Sequence, residues 1–185
     1  MAKLVRPSIV YRSSYLEALE EYRFEGGDAG PSPSLLRVPQ LFERYVADIL
    51  AGADHARPRP RGHVPYTMLW WVEGVVYLGR LSVRHELTSE LEAVGGHVSY
   101  DVRPSARRQG HGTAMLAAAL PVGAELGIAE LLVTCEPTNV ASRKVIEANG
   151  GVPAGSQPYD SLPGAHLRFL VPSAPCRKRE DLERS

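Results

Sequence analysis

The apolar residues of this chain change their spacing along its length, and each change marks an element. Over residues 8–25, Tyr11, Tyr15, Leu16 and Leu19 fall on one helical face, and Gly26-Gly27 stops the pattern. A Gly/Pro/Ser loop covers 28–34. Leu36, Leu41, Tyr45 and Ile49 then predict a second amphipathic helix over 35–50, with Pro39 disturbing its first turn. In 51–65, Arg57, Arg59 and Arg61 alternate with Pro58 and Pro60, which reads either as a solvated connector or as a surface for an acceptor or partner. Strand patterns follow at 66–73 and 75–84, on either side of a two-residue Glu73-Gly74 hairpin turn, and again at 97–102 after Gly95-Gly96. Met115, Leu116, Ala119, Leu120 and Leu126 predict a helix over 112–126 that is kinked at Pro121 and ended by Gly127. A strand at 130–135, a short helix from Asn139 and terminal strands near 152–156 and 165–171 complete the order. Two helices, an antiparallel meander and then strand–helix–strand–helix define an α/β class (α+β, with a mixed sheet).

At 185 residues the chain is long enough for one substantial core, and 1–171 is expected to form a single domain. Residues 172–185 are charged, lack periodicity and are expected to be a frayed tail. The formal net charge is zero, which removes the electrostatic drive for generic binding to nucleic acid or to an anionic membrane. No apolar run reaches bilayer length and the N-terminus has no signal-peptide segment, so a cytoplasmic location is expected. Cys135 and Cys176 give neither a disulfide framework nor metal spacing.

Candidate chemistry concentrates in 100–113, YDVRPSARRQGHGT, which reads as a strand end, a basic turn with Gly110 and Gly112, and a helix start. Such a turn leaves backbone N–H groups unpaired at a helix N-terminus, where they and the dipole attract an anion. A glycine's missing Cβ admits a phosphate close to the main chain. Arg107 and Arg108 add positive charge, so the expected ligand carries a pyrophosphate. A Rossmann fingerprint fails because Met115 stands where its third glycine belongs, and a P-loop fails because no lysine follows Gly112.

R-x-x-G-x-G preceded by V-x-P closely resembles the acetyl-CoA site of the GNAT N-acetyltransferase superfamily. A second stretch, 130–151, ELLVTCEPTNVASRKVIEANGG, resembles the same family, with Asn139 and Ser142 one turn apart at a helix start. Asn139 also suits a plain N-cap. The resemblance covers nearly the whole chain and extends to a bacterial group of predicted acetyltransferases of unassigned substrate. It implies a GNAT-like fold, with a mostly antiparallel sheet splayed between strands 4 and 5 to admit acetyl-CoA. It also implies cofactor contacts from Tyr100, Asp101, Val102, Arg107, Arg108, Gln109, Gly110, His111, Gly112, Thr113, Asn139 and Ser142, with Arg143 a weaker candidate. Acetyl-CoA and an amine acceptor are the implied partners, no metal is implied, and terminal strands in such folds often pair across a homodimer.

Many members of the family carry a tyrosine seven residues after that Asn to protonate the departing thiolate; here the position is Ile146. Cys135, Tyr100 or a water could stand in. The amine acceptor must lose a proton before attack, and imidazole titrates nearest to working pH. His97 is the residue assigned as that base, ahead of His85. Strand alternation nevertheless groups His97 with Ser99 and Asp101, opposite Tyr100 and Val102, so it reaches the thioester only if a bulge changes the parity. Its other reading is a hydrogen-bonded core histidine. Glu136 could serve a cationic acceptor or be a surface charge, and His111 is expected to matter through its backbone. One of Trp70 and Trp71 should fill the core while the other walls an acceptor pocket. Two functions follow: acetyl transfer from acetyl-CoA to a primary amine (a small molecule, a peptide N-terminus or a lysine), or a CoA-binding module with little catalysis.

Overall fold

A computed structural model describes residues 1–26, 31–158 and 165–173. The first sheet is antiparallel, in the order β1 (Lys3–Val5), β2 (Tyr66–Glu73), β3 (Val76–Arg84), β4 (Val98–Val102). The second is antiparallel in the order β5 (Glu130–Cys135), β7 (Ala165–Pro172), β6 (Val152–Pro158). Between these strands lie α1 (Arg12–Phe24), α2 (Pro33–Leu36), α3 (Pro39–Leu50), α4 (Ser89–Ala93), α5 (His111–Glu125) and α6 (Val140–Ala148).

Pleat alternation divides the interior into two cores across the first sheet. Trp70, Val72 and Tyr77 pack on Tyr15, Leu19 and Phe42 from the α1 and α3 side, where the Trp70 and Tyr15 rings stack at 4.8 Å. Trp71, Leu81 and Val83 face the other way, onto Met115, Leu116 and Ala119 of α5 and onto the second sheet. Both tryptophans are therefore core residues (1% and 4% exposed), and neither walls an open pocket.

Several boundaries differ from expectation for local reasons. Pro39 does not disturb a helix but begins one: the 35–50 pattern is two helices, α3 opening with Pro39 at its first position, where a missing N–H costs nothing. Glu73 pairs with Val76, so the hairpin turn is Gly74-Val75, one residue later than predicted. The chain runs helical across Pro121, and Gly127 (φ 77°) then ends α5 in a Schellman arrangement, with Ile128 N–H donating to the Gly123 C=O at 3.0 Å. Strand β1 and helix α4 were not anticipated. The first is too short to show a period, and the second is set by the Thr88 hydroxyl accepting from Leu91 N–H at 3.3 Å. Of the expected tail, residues 174–185 lie outside the described residues, and Cys176 with them.

The two sheets are clasped at the start of β4. His97 N–H donates to Leu132 C=O at 2.7 Å, Leu132 N–H donates to His97 Nδ1 at 2.9 Å, and Gly95 N–H donates to the Thr134 hydroxyl at 2.8 Å. Gly96 (φ 60°) makes this approach feasible, because a Cβ there would collide with the Leu132 carbonyl. Beyond the clasp β4 pairs with β3 and not with β5, so the sheets part as a wedge. Among the described residues no helix is long and apolar enough to cross a membrane.

Candidate active site

The wedge opens onto the turn between β4 and α5. Arg108 (φ 63°) and Gly110 (φ 82°) both adopt the left-handed conformation, which swings successive amides to one side. Arg107 N–H donates to Pro104 C=O, and the next committed amide is that of Ala114, bonded to Gly110 C=O at 3.1 Å. Among the described residues, no N–H from Arg108 to Thr113 has a protein acceptor. These donors border a cleft of about 620 Å³, lined by Tyr100, Asp101, Val102, Ala106, Arg107, Arg108, Gly110, His111, Gly112, Thr113, Asn139, Ala141, Ser142, Lys144 and Val145. Unused amides at a helix N-terminus beside Arg108 and Lys144 form a donor set that fits a diphosphate. The carboxylate of Asp101 is turned to Arg107, at 3.7 Å.

Of the expected cofactor residues, Gln109 and the weaker candidate Arg143 are absent from this lining; the Gln109 amide group donates to Ser105 C=O at 3.2 Å, and Arg143 pairs with Glu147 at 2.8 Å. Arg107 lines the cleft, yet its guanidinium is engaged by Val102 C=O (2.9 Å) and Glu25 (2.6 Å). Gly112 packs helices: a Cβ there would lie 3.2 Å from Val145 Cγ2 on α6. The His111 ring is fixed by Trp71, whose indole N–H donates to its Nδ1 at 3.2 Å. Lys144 drew no attention in sequence, since one lysine on a short helix carries no signal until the fold turns it toward the cleft.

Helix α1 braces the turn from behind. Arg103, 7% exposed, donates to the Ser14 hydroxyl and the Tyr77 carbonyl (3.1 Å each) and to Glu21. Glu21 also accepts from Ser105 N–H (3.0 Å) and its hydroxyl (2.9 Å). These bonds hold the Glu21 carboxyl down at about 2, against an ordinary 4.5 and despite an opposing burial effect.

At the inner end of the cleft, the Asn139 side-chain oxygen caps α6 by accepting from Ser142 N–H at 2.9 Å, which leaves its NH₂ group to the cleft. The Tyr100 phenol and the Ser142 hydroxyl share a 2.8 Å hydrogen bond. Burial raises the Tyr100 pKa, so the phenol stays protonated. Tyr100, Asn139 and Ser142 also line a second cavity of about 320 Å³, with Arg84, Ser99, Thr134, Cys135, Glu136 and His166 among its other walls. The two spaces meet at these three residues. A third cavity, also about 320 Å³, lies on the far side of Arg84, between His63, Tyr66, Met68 and Leu91.

His97 stands outside this group. Its Nδ1 lone pair is taken by the Leu132 amide, and it lines none of the three cavities. Burial and nearby Arg84 lower its pKa, so the ring is neutral and its remaining nitrogen carries the proton. No bulge changes the parity of β4, and the ring is held in the clasp, away from the three cavities. His85 is likewise engaged, by the Thr67 hydroxyl (2.8 Å) and His55 (2.9 Å). Ile146 is fully buried among core residues. His166, on the last strand, had no local motif to announce it; β7 returns it to the wedge, where its Nδ1 is buried with no partner among the described residues.

Residues 36–152 match the family model of the GNAT acetyltransferase domain. The chain belongs to that family, whose acetyl donor is acetyl-CoA. No curated protein sequence matches the chain. Among solved structures, it is similar to RimJ of Mycobacterium smegmatis in complex with CoA-disulfide (16% identity, TM-score 0.67, covering 100% of this chain and 85% of that one). It is similar to the microcin C7 self-immunity acetyltransferase MccE in complex with acetyl-CoA and AMP (9%, 0.65, 92% of each). It is also similar to the ribosomal-protein-S5-alanine acetyltransferase of Vibrio fischeri (15%, 0.65, 93% of each). These likenesses establish the fold, and the sheets part between β4 and β5 as the resemblance implied.

Proposed function

We propose that the chain transfers the acetyl group of acetyl-CoA directly to a primary amine. The observation that carries this reading is the set of unaccepted N–H groups from Arg108 to Thr113, opening on a cleft that meets a second cavity at Tyr100, Asn139 and Ser142. The turn amides, Arg108 and Lys144 bind the diphosphate, and the Asn139 NH₂ group holds the pantetheine arm. Bound in this way, acetyl-CoA supplies an activated thioester carbonyl to the junction.

The chain's own residues contribute alignment, polarisation and proton control. Arg103 N–H donates to Leu78 C=O at 2.8 Å; antiparallel alternation then turns the N–H groups of Tyr100 and Val102 toward the wedge. An amide so placed polarises a carbonyl lodged between the sheets. Tyr100, protonated and bonded to Ser142, offers a hydroxyl beside a departing thiolate, and the N-terminus of α6 favours that negative charge. Holding amine and thioester together in one wedge supplies the largest share, since alignment is worth roughly 7–11 kcal/mol in well-oriented systems. The amine's proton leaves toward the second cavity, where Glu136 and His166 are the groups able to take it. Buried Ile146 on α6 gives no ground for preferring a binding module, because Tyr100 supplies a hydroxyl from strand β4. The Vibrio fischeri protein, named for acting on a ribosomal-protein alanine, agrees with an amine acceptor.

Titration calorimetry with CoA, together with thiol release from acetyl-CoA against a panel of amines, tests the reading. Saturable CoA binding and amine-dependent thiol release are expected. Thiol release that is indifferent to amine would refute transfer, and absence of CoA binding would refute the placement of the donor.

A further inference from the structure

Arg84 ends β3 between the two smaller cavities and lines both. It is half-buried, and its Nη1 donates to the carbonyls of Gly96 (2.9 Å) and Gly95 (3.3 Å). Among the described residues its Nε and Nη2 have no acceptor, and no carboxylate pairs with it. Arg37, Arg57, Arg103, Arg107 and Arg143 all have such a partner. Burial lowers its pKa, with no offsetting anion among the described residues. A guanidinium drawn into a cavity wall without a counter-ion is costly until an oxyanion completes it. Because Nη1 is occupied by backbone carbonyls, the free Nε–Nη2 edge is the fork that matches two oxygens of one anionic group.

Glu136 lines the cavity that runs from Arg84 to the Tyr100–Asn139–Ser142 junction, and it forms no ion pair among the described residues. The space thus presents an anion and a cation, the complement of a zwitterion. We propose that the acceptor is an amine that also bears an oxyanion, a carboxylate or a phosphate. Arg84 grips that group while the ammonium end passes Glu136 to the junction. This deepens the transferase reading and rests on it.

The test uses the full chain loaded with CoA and three probes that differ in one group: 4-aminobutanoate, its methyl ester and 3-aminopropyl phosphate. Calorimetric affinity should be tenfold or more higher for a charged probe than for the ester, the range of a charge-assisted hydrogen bond. The stronger of the two charged probes identifies the oxyanion. In Arg84→Met the preference should vanish with CoA affinity unchanged, and Arg84→Lys should restore part of it. Equal binding of all three probes, binding of neither charged probe, or a preference that survives Arg84→Met each overturns the proposal. If Arg84→Met fails to fold for want of its bonds to Gly95 and Gly96, the wild-type comparison decides alone. Loss of CoA binding in the wild type would sink the transferase reading itself. CoA binding with acetylation indifferent to the anionic group would sink only this inference.

Discussion

Replacing Glu21 by Gln tests whether α1 braces the cofactor turn. The substitution keeps the shape and an oxygen for Ser105 N–H, but removes the charge that Arg103 meets. The Glu21 side chain is 28% exposed and that of Arg103 8%, so solvent screens the pair little. A carboxyl held at about 2 against an ordinary 4.5 corresponds to ~3 kcal/mol of folding free energy at neutral pH. Because the folded-state value lies below the unfolded one, this contribution is complete above pH 4.5 and is lost as pH falls toward 2. Wild type should therefore exceed the Gln variant by ~3 kcal/mol at pH 7, and ~2 kcal/mol of that gap should disappear by pH 3. Urea denaturation at pH 7, 5, 4 and 3 measures both quantities. Since Ser105 leads into the turn, CoA affinity should fall alongside stability. A gap under ~0.5 kcal/mol at pH 7, or one that acid does not shrink, would refute the reasoning.

Two further substitutions separate roles at the junction. Asn139→Asp keeps the α6 cap but loses the NH₂ donor, so CoA affinity should drop roughly tenfold at wild-type stability; Asn139→Ala should lose the affinity and ~1 kcal/mol of stability as well. Equal CoA affinity in the wild type and the Asp variant, by calorimetry, would remove Asn139 from the donor site. Tyr100→Phe loses the hydrogen bond to Ser142 and the proton donor, so steady-state kinetics should show kcat reduced ~100-fold with KM for acetyl-CoA nearly unchanged. A fall confined to KM would make the phenol a binding group only.

What the sequence determined by itself is local. The turn from Arg107 to Thr113 could be read because its chemistry depends on consecutive residues: glycines that permit positive φ, arginines that add charge, then a helix start that leaves amides free. Asn139 as a helix cap, the Gly127 stop and the alternation of Trp70 and Trp71 are local in the same sense. Short elements such as β1 and α4 escaped because three to five residues display no period, and Pro39 misled because a proline that breaks one helix also begins another. Which side chains line the wedge depends on the assembled fold. His97 was drawn into the clasp by an amide on a distant strand, and β7 carried His166 back into the wedge. Among the described residues Arg84 stands without a counter-ion because of where β3 ends relative to two cavities. Such facts depend on burial and on partners far away in the chain, and residue spacing carries no record of either.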